Sequence, residues 1–135
     1  MTSGDDQPSA KPIIDKLGVK AGARVSVLGV DDAAFLRQLA ERTGNAAIGR
    51  RRVRSDVLVA GIDRREGLTR LRTHKDFIVP NGAVWVVWPK GSKAINENDV
   101  RDVALEVGLV DVKVVSFSAT HSALKLVFRL ADRRG

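Results

Sequence analysis

The amino-acid sequence predicts a single α/β domain whose mostly parallel sheet ends in an antiparallel hairpin. The chain has 135 residues, of which 44% are hydrophobic, which suits one folded core rather than two domains. Strand-like apolar runs alternate with helix-like segments as far as Gly108. Two strand-like segments then follow each other closely near the end, which predicts the hairpin.

The first third of the chain predicts a short helix, a strand and a longer helix. Pro12 suits the first turn of a helix and Gly18 suits its end. Residues 24–29 form a short apolar strand. Either Asp31 or Asp32 caps the next helix, because a carboxylate accepts the free amide protons of a first helical turn.

The middle of the chain is less regular. Residues 46–53 suit either a short edge strand or a basic loop, and the sequence leaves both open. Residues 56–62 predict a buried strand, and residues 64–77 are helical by composition although Gly67 weakens that helix. Residues 82–88 are apolar on both faces, as expected of a central parallel strand that is covered on both sides.

The last part of the chain predicts one helix and the hairpin. Asn96 and Asp99 resemble a capping box before a helix that Gly108 ends. Residues 109–117 and 122–130 alternate in side-chain character and predict two antiparallel strands. A terminal antiparallel hairpin on a parallel, Rossmann-like sheet is a signature of the class I methyltransferase architecture, which is the fold we expect.

Four short stretches of the sequence, with Trp-Pro-Lys and Leu-Val-Asp-Val-Lys as their most distinctive strings, are similar to a known family. They are residues 12–18, 85–90, 108–113 and 122–127. The family that they resemble is a group of small bacterial proteins called domain of unknown function 3052. The resemblance implies a methyltransferase-like fold and brings no established activity.

Composition and the chain ends limit the class of protein. We expect residues 1–11 to be a disordered tail, residues 12–131 to be one domain and residues 132–135 to be a basic end. The polar, acidic start is unlike a signal or transit peptide, and no apolar run approaches the roughly 18 residues that span a bilayer. The chain has no cysteine, which excludes disulfides and thiolate catalysis. We therefore expect a cytoplasmic protein of bacterial type.

The net charge of +7 is concentrated in one segment. Residues 42–75 contain ten basic and three acidic residues and so carry all of it. Eight arginines of this segment are a candidate surface for anions, nucleic acid or an acidic protein: Arg50, Arg51, Arg52, Arg54, Arg64, Arg65, Arg70 and Arg72. No aromatic residue lies between Phe35 and Phe77 to stack on bases, and a solvated basic surface is the alternative interpretation.

The predicted sheet also locates a candidate ligand cleft. Ligands of open α/β sheets bind beyond the carboxyl ends of the parallel strands. The segments that meet there supply eight candidate residues: Gly29, Asp31, Asp32, Asp63, Trp88, Lys90, His121 and Ser122. Lys90 beside Trp88 suits a small anion, although a core tryptophan and an exposed lysine also explain that string. His121 and Ser122 suit a base and a nucleophile, although a polar hairpin turn also explains them.

The same edge lacks two features of a usual S-adenosylmethionine site. Such a site needs several glycines in the first loop and an acid after the next strand for the ribose hydroxyls. Here residues 29–32 contain one glycine and two aspartates, and residues 50–52 are arginines. We therefore predict no cofactor. Two isolated histidines and no cysteine likewise predict no metal site.

Together these observations predict a non-catalytic binding or regulatory module more readily than an enzyme. Two alternatives stay open. One is a basic accessory protein that binds nucleic acid or an acidic partner through residues 42–75, and the other is an enzyme or binder of a small anion at the strand-end cleft. The edge of the terminal hairpin also predicts a homodimer, because open strand edges invite pairing.

Overall fold

A computed structural model describes residues 11–133. Residues 1–10 of the predicted tail (residues 1–11) and residues 134–135 of the predicted basic end (residues 132–135) therefore lie outside the described residues. The strands are β1 (Val25–Leu28), β2 (Ala47–Ile48), β3 (Ser55–Gly61), β4 (Ile78–Pro89), β5 (Leu109–Ser116) and β6 (His121–Phe128). The α-helices are α1 (Ile13–Lys16), α2 (Ala33–Thr43), α3 (Leu71–His74) and α4 (Glu97–Glu106). Short 3-10 turns lie at Arg65–Arg70, Lys75–Phe77 and Leu130–Asp132. Within residues 11–133, no helix has the length and apolar character that crossing a membrane requires.

The six strands form one sheet in the order β2-β1-β3-β4-β6-β5. Strands β2, β1, β3 and β4 pair in parallel, and β6 pairs antiparallel with both β4 and β5. The predicted mostly parallel sheet with an antiparallel hairpin at its C-terminal side is therefore confirmed. The chain goes from β1 to β2 on one side and returns to β3 on the other, so the strand order reverses between β1 and β3.

The sheet has a hydrophobic core on each face. One face packs Phe35 and Leu39 of α2 against strand residues that include Trp85. The other face packs α4 and the turns after β3 against strand residues that include Trp88. Trp85 and Trp88 are both buried, at 0% and 5% exposure, although they come from opposite faces of β4. This confirms the prediction that residues 82–88 form a central strand covered on both sides.

The predicted helix caps are present. Asp32, rather than Asp31, caps α2 by accepting a hydrogen bond from the Phe35 amide at 2.9 Å. The capping box before α4 is complete, because the side chains of Asn96 and Asp99 each accept from the other residue's backbone amide, at 2.9 and 3.0 Å. Such caps satisfy amides that would otherwise lack a partner at the first turn of a helix.

Two segments in the middle of the chain differ from expectation. Residues 46–53 are mostly loop, since β2 holds only two residues. Residues 64–77 are not one helix but consecutive short 3-10 and α turns. The buried residues of this segment are Leu68, Leu71 and His74, which recur every third position. That spacing matches the three-residue period of a 3-10 helix, so burial of these side chains overrides the α-helical composition.

The hairpin also departs from simple alternation. Asp111 lies opposite Leu126 while Lys113 lies opposite Lys125, so Val112 is an extra, bulged residue on β5. The bulge moves the residues after it to the other face, and the predicted uniform alternation along β5 is wrong. The predicted continuation of the last strand to Leu130 is also wrong. The chain enters a 3-10 turn there and leaves Leu130 78% exposed.

Candidate functional site

The carboxyl ends of β1 and β3 form the crevice where ligands of this kind of sheet bind. Gly29 follows β1 and Gly61 ends β3, on the two sides of the point where the strand order reverses. Both glycines line two cavities, which we call the arginine lobe and the acidic lobe after the residues described below. They also line a neighbouring cavity that Arg64 and Glu66 enter.

Close contact between the two backbones requires both glycines. Gly29 has a φ of +73°, and a Cβ atom there would lie 2.9 Å from the Gly61 carbonyl oxygen. A Cβ atom on Gly61 would in turn collide with the Gly29 carbonyl oxygen. Neither position can carry a side chain without moving a strand end, which keeps the floor of the crevice free of side chains. The sequence identified Gly29 as a site residue and missed Gly61.

The acidic lobe has a volume of about 210 Å³. Its charged residues are Asp31 and Asp32 from the loop after β1, and Asp63 from the loop after β3. Thr120 and His121 of the hairpin close it, and the Thr120 hydroxyl contacts His121 Nδ1 at 2.8 Å. Within residues 11–133, no three such side chains are arranged to hold a metal ion. The three aspartates make the lobe an anionic surface that suits a cation.

The arginine lobe has a volume of about 550 Å³. Three arginines line it, Arg50 and Arg51 from the loop after β2 and Arg70 from the 3-10 turn, together with His74 and Phe77. The Arg51 guanidinium lies over the Phe77 ring at 5.1 Å from its centre, which holds that side chain in place. No carboxylate lines the cavity. The lobe is therefore a cationic surface that suits an anionic group.

His74 is the buried titratable group of the arginine lobe. Its exposure is 3%, and its Nδ1 atom has no hydrogen-bond partner. Burial, together with the positive charges of Arg51 and Arg70, lowers the pKa of His74 from 6.5 to about 4. The imidazole is therefore neutral at physiological pH and leaves the positive charge of the lobe to the arginines.

Two buried serines hold the loop that carries Arg50 and Arg51. The hydroxyls of Ser26 on β1 and Ser55 on β3 are 2.8 Å apart. Ser26 accepts from the Arg52 amide at 2.8 Å, and Ser55 donates to the Arg52 carbonyl at 2.6 Å. Because both hydroxyls are fully buried, these bonds fix the loop relative to the two strands. Single polar residues inside apolar strands were the signal that sequence reasoning overlooked.

The structure separates the eight predicted cleft residues into two groups. Five of them line the acidic lobe: Gly29, Asp31, Asp32, Asp63 and His121. The other three lie elsewhere. Trp88 is a core residue, Ser122 pairs with it across the sheet, and the Lys90 ammonium donates to the Ser116 hydroxyl at 2.7 Å.

The eight predicted arginines are likewise spread over several places. Arg50, Arg51 and Arg70 line the arginine lobe, and Arg64 lines a neighbouring cavity with Arg70. Arg65 instead lies 3.4 Å from Asp99 of α4. The remaining three are Arg52, which is partly buried, and Arg54 and Arg72, which are exposed. The arginine run thus contributes to the crevice through four of its eight members.

Comparison with known proteins gives a fold but no family. No family model matches the chain, and no curated protein does either. Among solved structures, the chain is similar to an S-adenosylmethionine-dependent methyltransferase from Aquifex aeolicus, with a TM-score of 0.67, 12% identity and coverage of 84% of this chain and 86% of that one. An S-adenosylmethionine-dependent O-methyltransferase from Thermotoga maritima has a TM-score of 0.65 and 12% identity, and the match covers 87% of this chain and 63% of that one. Magnesium protoporphyrin IX methyltransferase from Synechocystis with bound S-adenosylmethionine has a TM-score of 0.62 and 11% identity, and the match covers 87% of this chain and 74% of that one.

These similarities correct the function that the sequence predicted. We expected a non-catalytic binding or regulatory module, with a basic accessory protein or a small-anion binder as alternatives. The three solved structures named above are instead methyltransferases, one of them with S-adenosylmethionine bound, and the prediction is set aside with its alternatives. At identities of 11% to 12% the similarity establishes the fold. The chain has the Rossmann-like α/β fold of the class I methyltransferases.

Proposed function

We propose that this chain binds S-adenosylmethionine in the strand-end crevice and acts in methyl transfer. The observation that carries the proposal is the division of the crevice into an acidic and an arginine lobe that meet at Gly29 and Gly61. S-adenosylmethionine carries a sulfonium and an ammonium, both positive, and one carboxylate on the same carbon as the ammonium. A crevice in which an anionic and a cationic surface meet suits a ligand that carries both charges side by side.

The residues present fit the charged ends of this ligand. Asp31, Asp32 and Asp63 would hold the positive groups, and the arginine lobe would hold the carboxylate, for which a guanidinium offers a matched pair of donors. The ribose is bound differently from the usual pattern, since Arg50 stands near the end of β2 where an acid is expected. The fit therefore rests on the charged groups and on the open glycine floor.

When bound, S-adenosylmethionine supplies an electrophilic methyl group to a nucleophile. An oxygen or nitrogen nucleophile that accepts it must lose a proton. His121 lines the acidic lobe and uses Nδ1 in its contact with Thr120, so its Nε2 atom remains for that proton. His121 is thus the general base of the proposed reaction.

The acidic lobe is tested by comparing two ligands that differ in one charge. S-adenosylhomocysteine has a neutral thioether where S-adenosylmethionine has a sulfonium. We expect Asp63→Asn to weaken S-adenosylmethionine binding about tenfold in isothermal titration calorimetry while S-adenosylhomocysteine changes by less than about threefold. The control is Asp76→Asn, which removes the same charge from an exposed residue outside both lobes and should leave both ligands unchanged.

The arginine lobe is tested with a neighbouring pair of arginines. Arg70 lines the lobe and Arg72, two residues later, does not. We expect Arg70→Met to weaken both amino-acid-bearing ligands by about tenfold and to leave 5′-methylthioadenosine, which lacks the carboxylate, unaffected. Arg72→Met should change none of the three. Failure of S-adenosylmethionine and S-adenosylhomocysteine to bind at millimolar concentration would overturn the proposal.

A further inference from the structure

Another cavity lies at the opposite end of the sheet from the proposed site. It has a volume of about 660 Å³ and is bounded by the loop between α1 and β1 on one side and by the β5–β6 hairpin on the other. Its floor is apolar, with the buried residues Val57, Ala83 and Val127. Because β3 begins at this end and finishes at the crevice, about 20 Å of strand separates the two places. We call this cavity the amino-end groove.

Cations dominate the lining of the amino-end groove. Lys20, Lys125 and Arg133 line it, against one carboxylate, Asp56. Asp56 already accepts a hydrogen bond from the Arg24 amide at 2.9 Å. Arg133 donates through Nε to the Phe128 carbonyl at 2.9 Å, which anchors its guanidinium at the rim. The groove therefore has an excess of positive charge that residues 11–133 do not neutralise.

Lys125 is the unusual member of this set. It lies in the middle of β6, directly across from Trp85 on one side and from Lys113 on the other. Two like charges at directly opposite positions destabilise a sheet. Burial lowers the pKa of Lys125, and the charges of Lys113 and Arg133 lower it further. A neutral side chain at this position would avoid both costs.

Nothing in the described part of the chain compensates Lys125. The ion pairs of residues 11–133 involve Arg42, Arg65 and Arg101 as cations, and none of them reaches the groove. The Lys125 ammonium has no hydrogen-bond acceptor among these residues, and neither does that of Lys113. A partly buried cation that faces like charges and lacks a counter-ion is stabilised most effectively by an anion from outside.

We propose that the amino-end groove binds a small phosphate monoester, independently of the S-adenosylmethionine site. A phosphate monoester carries a charge of about −1.5 to −2 at neutral pH, which suits a site with several adjacent cations better than a carboxylate does. The volume lies within the range of small-molecule pockets, and the apolar floor suits the organic part of the ligand. No aromatic side chain lines the groove, which disfavours a nucleic-acid strand that stacks its bases.

The proposal is tested by NMR titration of isotope-labelled protein with phenyl phosphate and with inorganic phosphate, at constant ionic strength in chloride. We expect saturable shifts of the amides at residues 18–23, 82–83 and 125–127, in addition to any shifts at the crevice, whose arginine lobe also suits an anion. Shifts at the crevice alone, or none at the groove that saturate below about 50 mM, would overturn it. Phenyl phosphate should bind more tightly than inorganic phosphate because only the ester uses the apolar floor.

A charge-removing variant and its control complete the test. Lys125→Met keeps the apolar stem and removes the ammonium, so the variant should fold with an unchanged or higher Tm and bind phenyl phosphate about tenfold more weakly. Lys93→Met removes the same charge from an exposed lysine outside the groove and should bind as the parent protein does. Equal affinity in a folded Lys125→Met protein would overturn the assignment. S-adenosylmethionine binding should be unchanged in both variants, which keeps this test separate from that of the crevice.

Discussion

The two ends of the sheet present charge in opposite ways. At the carboxyl end, charged residues come from loops, acids and arginines occupy separate lobes, and each lobe opens beside a strand end. At the amino end, the decisive cation lies within a strand and faces another lysine across the hairpin. Loops can place charges where water still solvates them. The side chain of a strand residue instead lies on one face of the sheet and is desolvated to the extent that this face is covered.

This difference predicts different responses to substitution. In the crevice, the two strand ends lie too close together to admit a Cβ atom, and the charged side chains are mostly solvated. Stability there therefore depends on the glycines and on the buried His74. In the amino-end groove, the charged side chains lower stability, so removing one should stabilise the protein. A ligand is then the natural reason for the groove to keep its lysines.

The largest effect is expected at Gly29. Gly29→Ala places a Cβ 2.9 Å from the Gly61 carbonyl oxygen in addition to the cost of a left-handed backbone, so we expect about 4 kcal/mol less stability. Gly44→Ala is the matched control. Its φ is +80° but no atom lies within 4 Å of the added Cβ, so it should lose only about 1 kcal/mol. Urea unfolding measures both, and equal losses would show that the strand ends are not in close contact.

The next effect is the pH dependence of stability that His74 causes. Its pKa is 6.5 when unfolded and about 4 when folded, so the unfolded chain takes up the proton first as the pH falls. The stability that His74 confers is fully present above pH 6.5 and is lost as the pH falls towards 4, by about 3 kcal/mol. His74→Leu should remove this part of the pH profile. His121→Leu should retain this part of the profile. If the pH dependence of stability were the same with and without His74, the buried His74 would not be its cause.

The smallest effect is expected at the amino end. Lys113→Gln removes the like charge opposite Lys125 and should raise the free energy of unfolding by about 0.5 kcal/mol at low salt. The gain should shrink as salt is added, because salt screens the repulsion that is removed. Thermal unfolding at two ionic strengths measures this. A loss of stability at low salt would mean that Lys113 has a compensating partner.

Local signals in the sequence predicted the elements whose structure is decided locally. The cap at Asp31 or Asp32 and the pair Asn96 and Asp99 were predicted from spacing alone, because a cap is a contact between near neighbours in the chain, and the structure selects Asp32. The loop aspartates of the acidic lobe were also predicted, since the order of strands decides which loops share an edge. Both inferences need only the sequence and the topology of the sheet.

The features that sequence reasoning missed depend on contacts between distant residues. The bonds between Ser26 and Ser55 join positions 29 residues apart, and the approach of Gly61 to Gly29 joins two different strands. The bulge at Val112 depends on pairing with β6 and leaves no mark in the sequence of β5. The burial of His74 was not predicted, because it requires the turn that Leu68 and Leu71 anchor.

The two tryptophans make the intrinsic fluorescence of this protein a probe of its two hydrophobic cores. They are the chain's only tryptophans, the chain has no tyrosine, and both lie on β4, so intrinsic emission comes from a single strand with one indole in each core. Trp85 donates its indole N–H to the Leu17 carbonyl at 3.1 Å, and Leu17 is part of the wall of the amino-end groove. A Trp88→Phe protein would therefore emit from an indole tied to that wall, and Trp85→Phe would leave a reporter of the opposite core. Fluorescence can thus follow each layer separately without an added dye.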